Sequence, residues 1–202
     1  MPTPTGLRFF LLLMRSFAVV VATLLLQGIC FDAIAAPDKE IEVGVDIKGN
    51  EVILDVNCFV RATPQQVWAV VTDYGNASRF ISSLEKSEIV SRTDKMLVVS
   101  QKGRMGLGPF SVSLETITEI HLTPFERLQS RMLSGSMAYH ESTTRLIQEG
   151  AGTRIVYHAN SNPNVWMPPL IGHALVAHEA RERFSQLLDE ILRRRASSDA
   201  GG

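Results

Sequence analysis

The 202-residue chain is poor in several of the features that mark specialised proteins. It has two cysteines, Cys30 and Cys58, too few for a disulfide scaffold or a multi-thiolate metal site. Neither sign of charge dominates: 20 Lys and Arg stand against 21 Asp and Glu, net −1, so there is no electrostatic footprint for nucleic acid. The basic tract Arg193 to Arg195 is too short to change this and is expected to complement the dipole at a helix C-terminus. Glycine (14) and proline (9) are too sparse for a disordered or fibrous chain. His173 and His178 are five apart, about 140° around a helix, so they share no face for a metal; "HALVAHE" is not the H-E-x-x-H pattern. "GRMGLGPF" joins two strand patterns and lacks the helix N-terminus of a phosphate loop; a hairpin turn is expected there. No metal or cofactor is expected.

Long apolar runs occur only at the start. Arg8 and Arg15 flank "FFLLLM", then "FAVVVATLLLQGI" leads to Ala33-Ile34-Ala35, the pattern of a cleavable secretory signal. Cutting after Ala35 avoids a proline at the scissile bond. Cys30 follows bulky Ile29 and makes a poor lipid-attachment site. The competing reading is a membrane anchor over residues 9–29, which Arg15 interrupts at about 2.5–3.5 kcal/mol near a bilayer centre. Met14 also opens a compact signal by itself and is an alternative start. Removing 35 residues takes away Arg8, Arg15 and Asp32, leaving 167 residues, a net charge of −2 and one cysteine. Such a chain folds on its hydrophobic core alone. Cys58, in an alternating apolar strand, is expected to be a buried small hydrophobe, with a reactive thiol as the alternative.

The remainder alternates with period two. Ile41, Val43, Val45 and Ile47 form one face; Val52, Leu54, Val56, Cys58 and Val60 form another across a Gly49-Asn50 turn, a hairpin signal. Thr63-Pro64-x-Gln66 then starts a helix with a capping box, and Val67, Val70, Val71 and Tyr74 make its apolar stripe. Gly75 is expected to stop it, and Asn76 to cap a second short turn carrying Phe80 and Ile81. Strands are expected over residues 87–91, 96–102, 110–121, 126–134, 137–148 and 153–160, antiparallel because the turns are short. A final helix begins near Pro168 or Pro169, with a stripe through Leu170, Ala174, Ala177 or His178, Arg181, Phe184, Leu188, Ile191 and Leu192. The tail from residue 197 is expected to fray. This pattern predicts a strongly bent antiparallel sheet around one long helix, with the short helical pair over one end and a cavity where a single helix cannot fill the sheet.

"VRATPQQVWAVVTDY" with the following "FISSL", then "GTRIVY" and a proline-led final helix, resembles the START-like (SRPBCC) superfamily. This is the α+β helix-grip fold of Bet v 1-type proteins, polyketide cyclases/dehydrases and coenzyme Q-binding proteins. The resemblance covers about residues 50–195 and implies a seven-stranded sheet gripping the last helix around a hydrophobic cavity, within a domain over residues 36–196. The strand at 41–48 is an addition to that pattern. The fold hosts both carriers and enzymes.

Strand parity points Phe110, Val112 and Leu114 inward, with Ile155 and Tyr157, and the uncharged even set Ala138, His140, Ser142, Thr144 and Leu146. Val71 and Phe80 from the helical pair, Met132 from its strand and Ala174 from the last helix complete the expected lining, with Trp166 and Met167 at a rim. Such a wall is apolar with a few polar handles, suited to a lipid, quinone or polycyclic compound; for each residue the competing role is plain core. His140 and Tyr157 are the only acid/base candidates placed inside, with a hydrogen-bonded structural histidine as the alternative.

Three functions follow. The first is a periplasmic binding or transfer protein for a hydrophobic small molecule or lipid, touching a membrane transiently. The second is a cyclase/dehydrase-like enzyme using His140 and Tyr157. The third is an interaction module whose cavity is filled, to well below about 300 Å³.

Overall fold

The computed structural model describes residues 37–106, 111–163 and 169–200, without the side chains of Val112 and of residues 169–171. The expected signal segment, Phe110, and Trp166 with Met167 lie outside the described residues, as does the side chain of Val112.

Strands β1 (Lys39–Lys48) and β2 (Glu51–Val60) are followed by helix α1 (Pro64–Val71) and a 3₁₀ helix (Tyr74–Arg79). Six strands come next: β3 (Leu84–Arg92), β4 (Met96–Met105), β5 (Val112–Thr123), β6 (Arg127–Gly135), β7 (Tyr139–Glu149) and β8 (Gly152–Asn162). Helix α2 (Pro169–Asp199) ends the fold, continuing past the residue-196 boundary expected from sequence. All eight strands form one antiparallel, curved sheet in the order β1-β2-β8-β7-β6-β5-β4-β3. Strands β2 to β8 are the seven of the helix-grip pattern, and β1 extends the edge beside β2. No helix among the described residues is long and apolar enough to cross a membrane.

Local chemistry explains the elements. Gly49 takes φ 64° in the two-residue turn that pairs Lys48 with Glu51, a conformation open to glycine. Val52, Val56, Cys58 and Val60 are then buried at alternate positions of β2. The α1 capping box forms as expected: Thr63 Oγ1 accepts from the Gln66 N–H at 3.3 Å, and the Gln66 side chain accepts from the Thr63 N–H at 2.9 Å. The helix ends sooner than expected, at Val71 rather than at Gly75. Thr72 closes it by donating its hydroxyl to the Trp68 carbonyl at 2.7 Å, after which Asp73 leaves helical geometry and Gly75 enters the 3₁₀ turn.

The core is divided. One cluster joins β2, β7 and β8 to α1 and the lower half of α2 through Val56, Val60, Val67, Leu146, Ile155, Leu188 and Ile191. A second lies under β4, β5 and β6, with Leu97, Val99, Ile120 and Leu128. Trp68 and Val71 touch both clusters. Full burial of a side chain such as Leu188 or Ile191 contributes about 1.5–3 kcal/mol, so the first cluster holds α2 on the sheet, while the second, which has no α2 residue, leaves space between them.

The arginines at the end of α2 do not serve as a dipole cap. Arg193 pairs with Glu190, Arg194 bridges Glu190 and Asp73, and Arg195 donates to the Arg61 carbonyl. They tie the helix end to the segment around α1.

Candidate ligand cavity

The space between the core clusters is a cavity of about 390 Å³. Its walls follow the periods of the elements that build it. On the sheet, alternate residues face it: Leu114, Thr116, Thr118 and Ile120 from β5, His140, Ser142 and Thr144 from β7, and Ile155, Tyr157, Ala159 and Ser161 from β8. Val52 and Leu54 of β2 and Leu128 and Ser130 of β6 continue the same face. From α2 come Val176, Glu179, Ala180, Arg183, Phe184 and Leu187, a helical i, i+3, i+4 ridge. Val70, Val71, Tyr74, Ala77, Phe80 and Ile81 close the end beneath α1 and the 3₁₀ helix. The short helical pair thus closes one mouth of the sheet.

Register aligns the polar handles. Ser130 pairs with Ser142, which pairs with Ala159; Leu128 pairs with Thr144, which pairs with Tyr157; His140 pairs with Ser161. With Thr116 and Thr118, the sheet wall is a band of hydroxyls facing an α2 ridge that is apolar except at Glu179 and Arg183. The wall is therefore more polar than the sequence suggested. Ser142 and Thr144 stand where the parity of their strand puts them, and Ser130 and Ser161 add to the band.

Eight residues expected on the wall are found there: Val71, Phe80, Leu114, His140, Ser142, Thr144, Ile155 and Tyr157. Leu146 faces inward but is sealed into the core beside α1, its N–H held by the Glu126 carbonyl at 2.8 Å. Met132 is half-buried on the far part of β6, beyond Ser130 and off the wall, where a bulge shifts the register with β5. Ala174 is exposed, as are His178 and Arg181 of the expected stripe. The cavity-facing path in this half of α2 steps back by fours from Phe184, through Ala180 to Val176, whereas the sequence favoured a path stepping by threes. The charged residues Glu179 and Arg183 on the inner face weakened the apolar signal. Ala138 is exposed too. Cys58 is completely buried, and burial pushes its thiol up to about 12, so it belongs to the core.

Three titratable groups of the cavity are shifted, each chiefly by burial. Burial lowers the pKa of His140, and the Arg183 charge lowers it further, leaving a neutral imidazole at neutral pH. Burial raises the phenol of Tyr157, against a hydrogen bond with Ser142 and the Arg183 charge. Tyr74 is raised by burial, again opposed by Arg183. His140, Tyr74 and Tyr157 lie deep in the fold yet each keeps part of its surface accessible, and that surface faces the cavity. His140 and Tyr157 sit on adjacent strands but four positions apart in register, about 13 Å along the strand. No hydrogen bond joins them among the described residues. Tyr157 instead packs on Phe184, ring centroids 5.3 Å apart.

The comparisons agree with this architecture. The chain is similar over 75% of its length to 99% of the Zhui aromatase/cyclase from Streptomyces sp. R1128, at 18% identity and a TM-score of 0.63. It is similar over 70% of its length to 97% of a START superfamily protein from Mycobacterium smegmatis, at 11% identity and a TM-score of 0.59. For a STAR-related lipid transfer protein from Xanthomonas axonopodis the figures are 75%, 98%, 10% and 0.57. At these identities the likeness is one of fold. No curated protein gives a significant match. A family model described as polyketide cyclase / dehydrase and lipid transport matches residues 60–185, more than half of the chain, from the end of β2 into α2. With the curved sheet, the gripped helix and the cavity between them, the chain belongs to this START-like family of polyketide cyclases/dehydrases and lipid transport proteins.

Proposed function

We propose that the protein is a periplasmic carrier that binds one hydrophobic small molecule in the cavity between α2 and the sheet. The observation that carries this reading is the cavity itself: about 390 Å³, above the roughly 300 Å³ floor of small-molecule sites, with an apolar helix ridge opposite a band of hydroxyls. Space of that size argues against the filled-cavity module. The apolar wall supplies affinity, and the hydroxyls orient a ligand without demanding a charge from it. The periplasmic location rests on the secretory pattern ending at Ala33-Ile34-Ala35.

The experiment is native mass spectrometry of the protein isolated from a periplasmic fraction, followed by solvent extraction. A carrier retains a mass that extracts as one lipid, quinone or polycyclic class, and its chain begins at Ala36. A bare polypeptide that stays bare after incubation with membrane extract overturns the reading.

A cyclase- or dehydrase-like activity is the second reading, favoured by a neutral His140 and by Tyr157, both on the wall. Their separation means they would act on different parts of a substrate rather than as a hydrogen-bonded pair. Under this reading His140→Ala abolishes turnover; under the carrier reading it leaves ligand retention largely intact.

A further inference from the structure

The inner face of β4 is apolar except at Gln101. Leu97 and Val99 are fully buried there, while Gln101 is half-buried and lines the cavity. An amide on such a wall needs a fixed partner, because a polar group taken from water without one is costly. Ser87 of β3 supplies it: its hydroxyl accepts from the Gln101 amide nitrogen at 3.0 Å. Ser87 is 5% exposed and does not itself line the cavity. Register carries the row one strand further, since Ser87 pairs with Gln101 and Gln101 pairs with Thr116, which also lines the cavity. With its nitrogen turned to Ser87, the Gln101 amide keeps its carbonyl oxygen as an open acceptor. No hydrogen bond engages that oxygen or the Thr116 hydroxyl among the described residues.

The charged side chains that border the cavity are each held elsewhere or open to solvent. Arg104 pairs with Glu85 at 2.6 Å, Asp73 pairs with Arg194 at 2.7 Å, Glu179 accepts from the Gly106 N–H at 3.2 Å, and Arg183 is exposed. Uncharged groups therefore set the character of the wall around Gln101. Beyond this row, toward α1, the wall turns apolar: Ile120 and Leu128 on the sheet, then Val70, Val71 and Phe80 at the closed end. An apolar body fits there while a polar atom stays level with Gln101.

We propose that Gln101, positioned by Ser87, forms with Thr116 an uncharged subsite that takes one hydroxyl of an otherwise apolar ligand and directs the apolar body toward the closed end. This deepens the carrier reading and rests on it. A hydroxyl donates to the Gln101 carbonyl oxygen and accepts from Thr116, so it uses both partners. A carboxylate only accepts, and would face the Gln101 oxygen with no proton to offer it. A hydrocarbon would leave the amide oxygen unpaired, which counts against its binding. At about 390 Å³ the cavity suits a single chain or a small fused-ring alcohol rather than a two-chain lipid.

The test is fluorescence titration at neutral pH with 2-naphthol, naphthalene and 2-naphthoate, which share one ring body and differ in the polar group. The protein is compared with its Gln101→Leu, Ser87→Ala and doubly substituted variants. 2-Naphthol is expected to bind the tightest of the three. Gln101→Leu should weaken 2-naphthol by about three- to tenfold, the worth of one hydrogen bond, and spare naphthalene. The double variant, which leaves neither polar group unpaired, should behave in the same way. Ser87→Ala should also weaken 2-naphthol selectively, because the amide loses its anchor; an equal loss for all three probes would overturn the positioning role of Ser87. Retained naphthalene binding shows that each variant is folded. Naphthalene or 2-naphthoate binding as tightly as 2-naphthol in the unaltered protein, or a 2-naphthol preference that survives Gln101→Leu, overturns the subsite and leaves the carrier reading standing. Failure of every probe to bind overturns the subsite, and a cavity that native mass spectrometry also finds bare removes the carrier reading with it.

Discussion

Arg194 Nη2 lies 2.7 Å from Asp73 Oδ2, joining the last turns of α2 to the start of the 3₁₀ helix across 121 positions of chain. The same guanidinium stands 5.6 Å from the ring centroid of Phe80, a cavity-wall residue, and its Nε bonds Glu190 at 2.7 Å. One side chain thereby fixes the helix, the closed end and a cavity ring together.

Arg194→Met should therefore loosen the closed end as well as lower stability. The Arg194 and Asp73 side chains keep 32% and 22% of their exposure, so solvent screens the pair and its coupling is expected to be about 1 kcal/mol. A double-mutant cycle with Asp73→Asn in urea measures it. Coupling indistinguishable from zero would show that packing alone holds this end.

Acid should weaken the same junction. The hydrogen bond from Arg193 holds the Glu190 carboxyl down to about 2, with Arg194 adding to it against an opposing effect of burial. A carboxylate depressed in the folded state contributes its stability above the unfolded pKa, near 4.5, and loses it as the pH falls toward 2. Unfolding free energy should fall across that window. Because Arg193 is 64% exposed, the part due to Glu190 is discounted to about 1 kcal/mol. Glu190→Gln should flatten the profile between pH 4.5 and 2; an unchanged profile would assign the acid sensitivity to other carboxylates.

Gly103→Ala should destabilise the protein for steric reasons. A Cβ at Gly103 would stand 2.5 Å from the Ser83 carbonyl oxygen, where the chain crosses β4 and accepts the Arg104 N–H at 2.9 Å. Backbone must move to relieve that overlap, at a cost of about 1–3 kcal/mol. Because Gly103 and Ser83 both line the cavity, ligand retention should fall with the melting temperature. A variant that melts like the parent would mean the Ser83 crossing yields easily.

Cys58 should resist alkylation in the native state. Its thiol is fully buried, pushed up to about 12 and directed at the Ile155 carbonyl at 3.8 Å. Iodoacetamide at pH 8, with peptide mass mapping, should leave Cys58 unlabelled until denaturant is added. Rapid labelling without denaturant would show that β2 and β8 part locally.

The elements and their order are determined by the sequence, because they are written in local chemistry. The Thr63–Gln66 box starts α1, the Gly49–Asn50 turn pairs β1 with β2, and alternation on β2, β5 and β8 marks their inner faces. Those signals depend on neighbours one to four residues away. What the tertiary structure alone decided is the character of the cavity. Thr116 and Thr118 follow the parity of Leu114 on β5, but that Ser130 and Ser161 line up with Ser142 and His140 in one polar band depends on register with strands far away in sequence. Which of two paths α2 turns inward depended on the sheet it meets, since Glu179 and Arg183 blurred its apolar face.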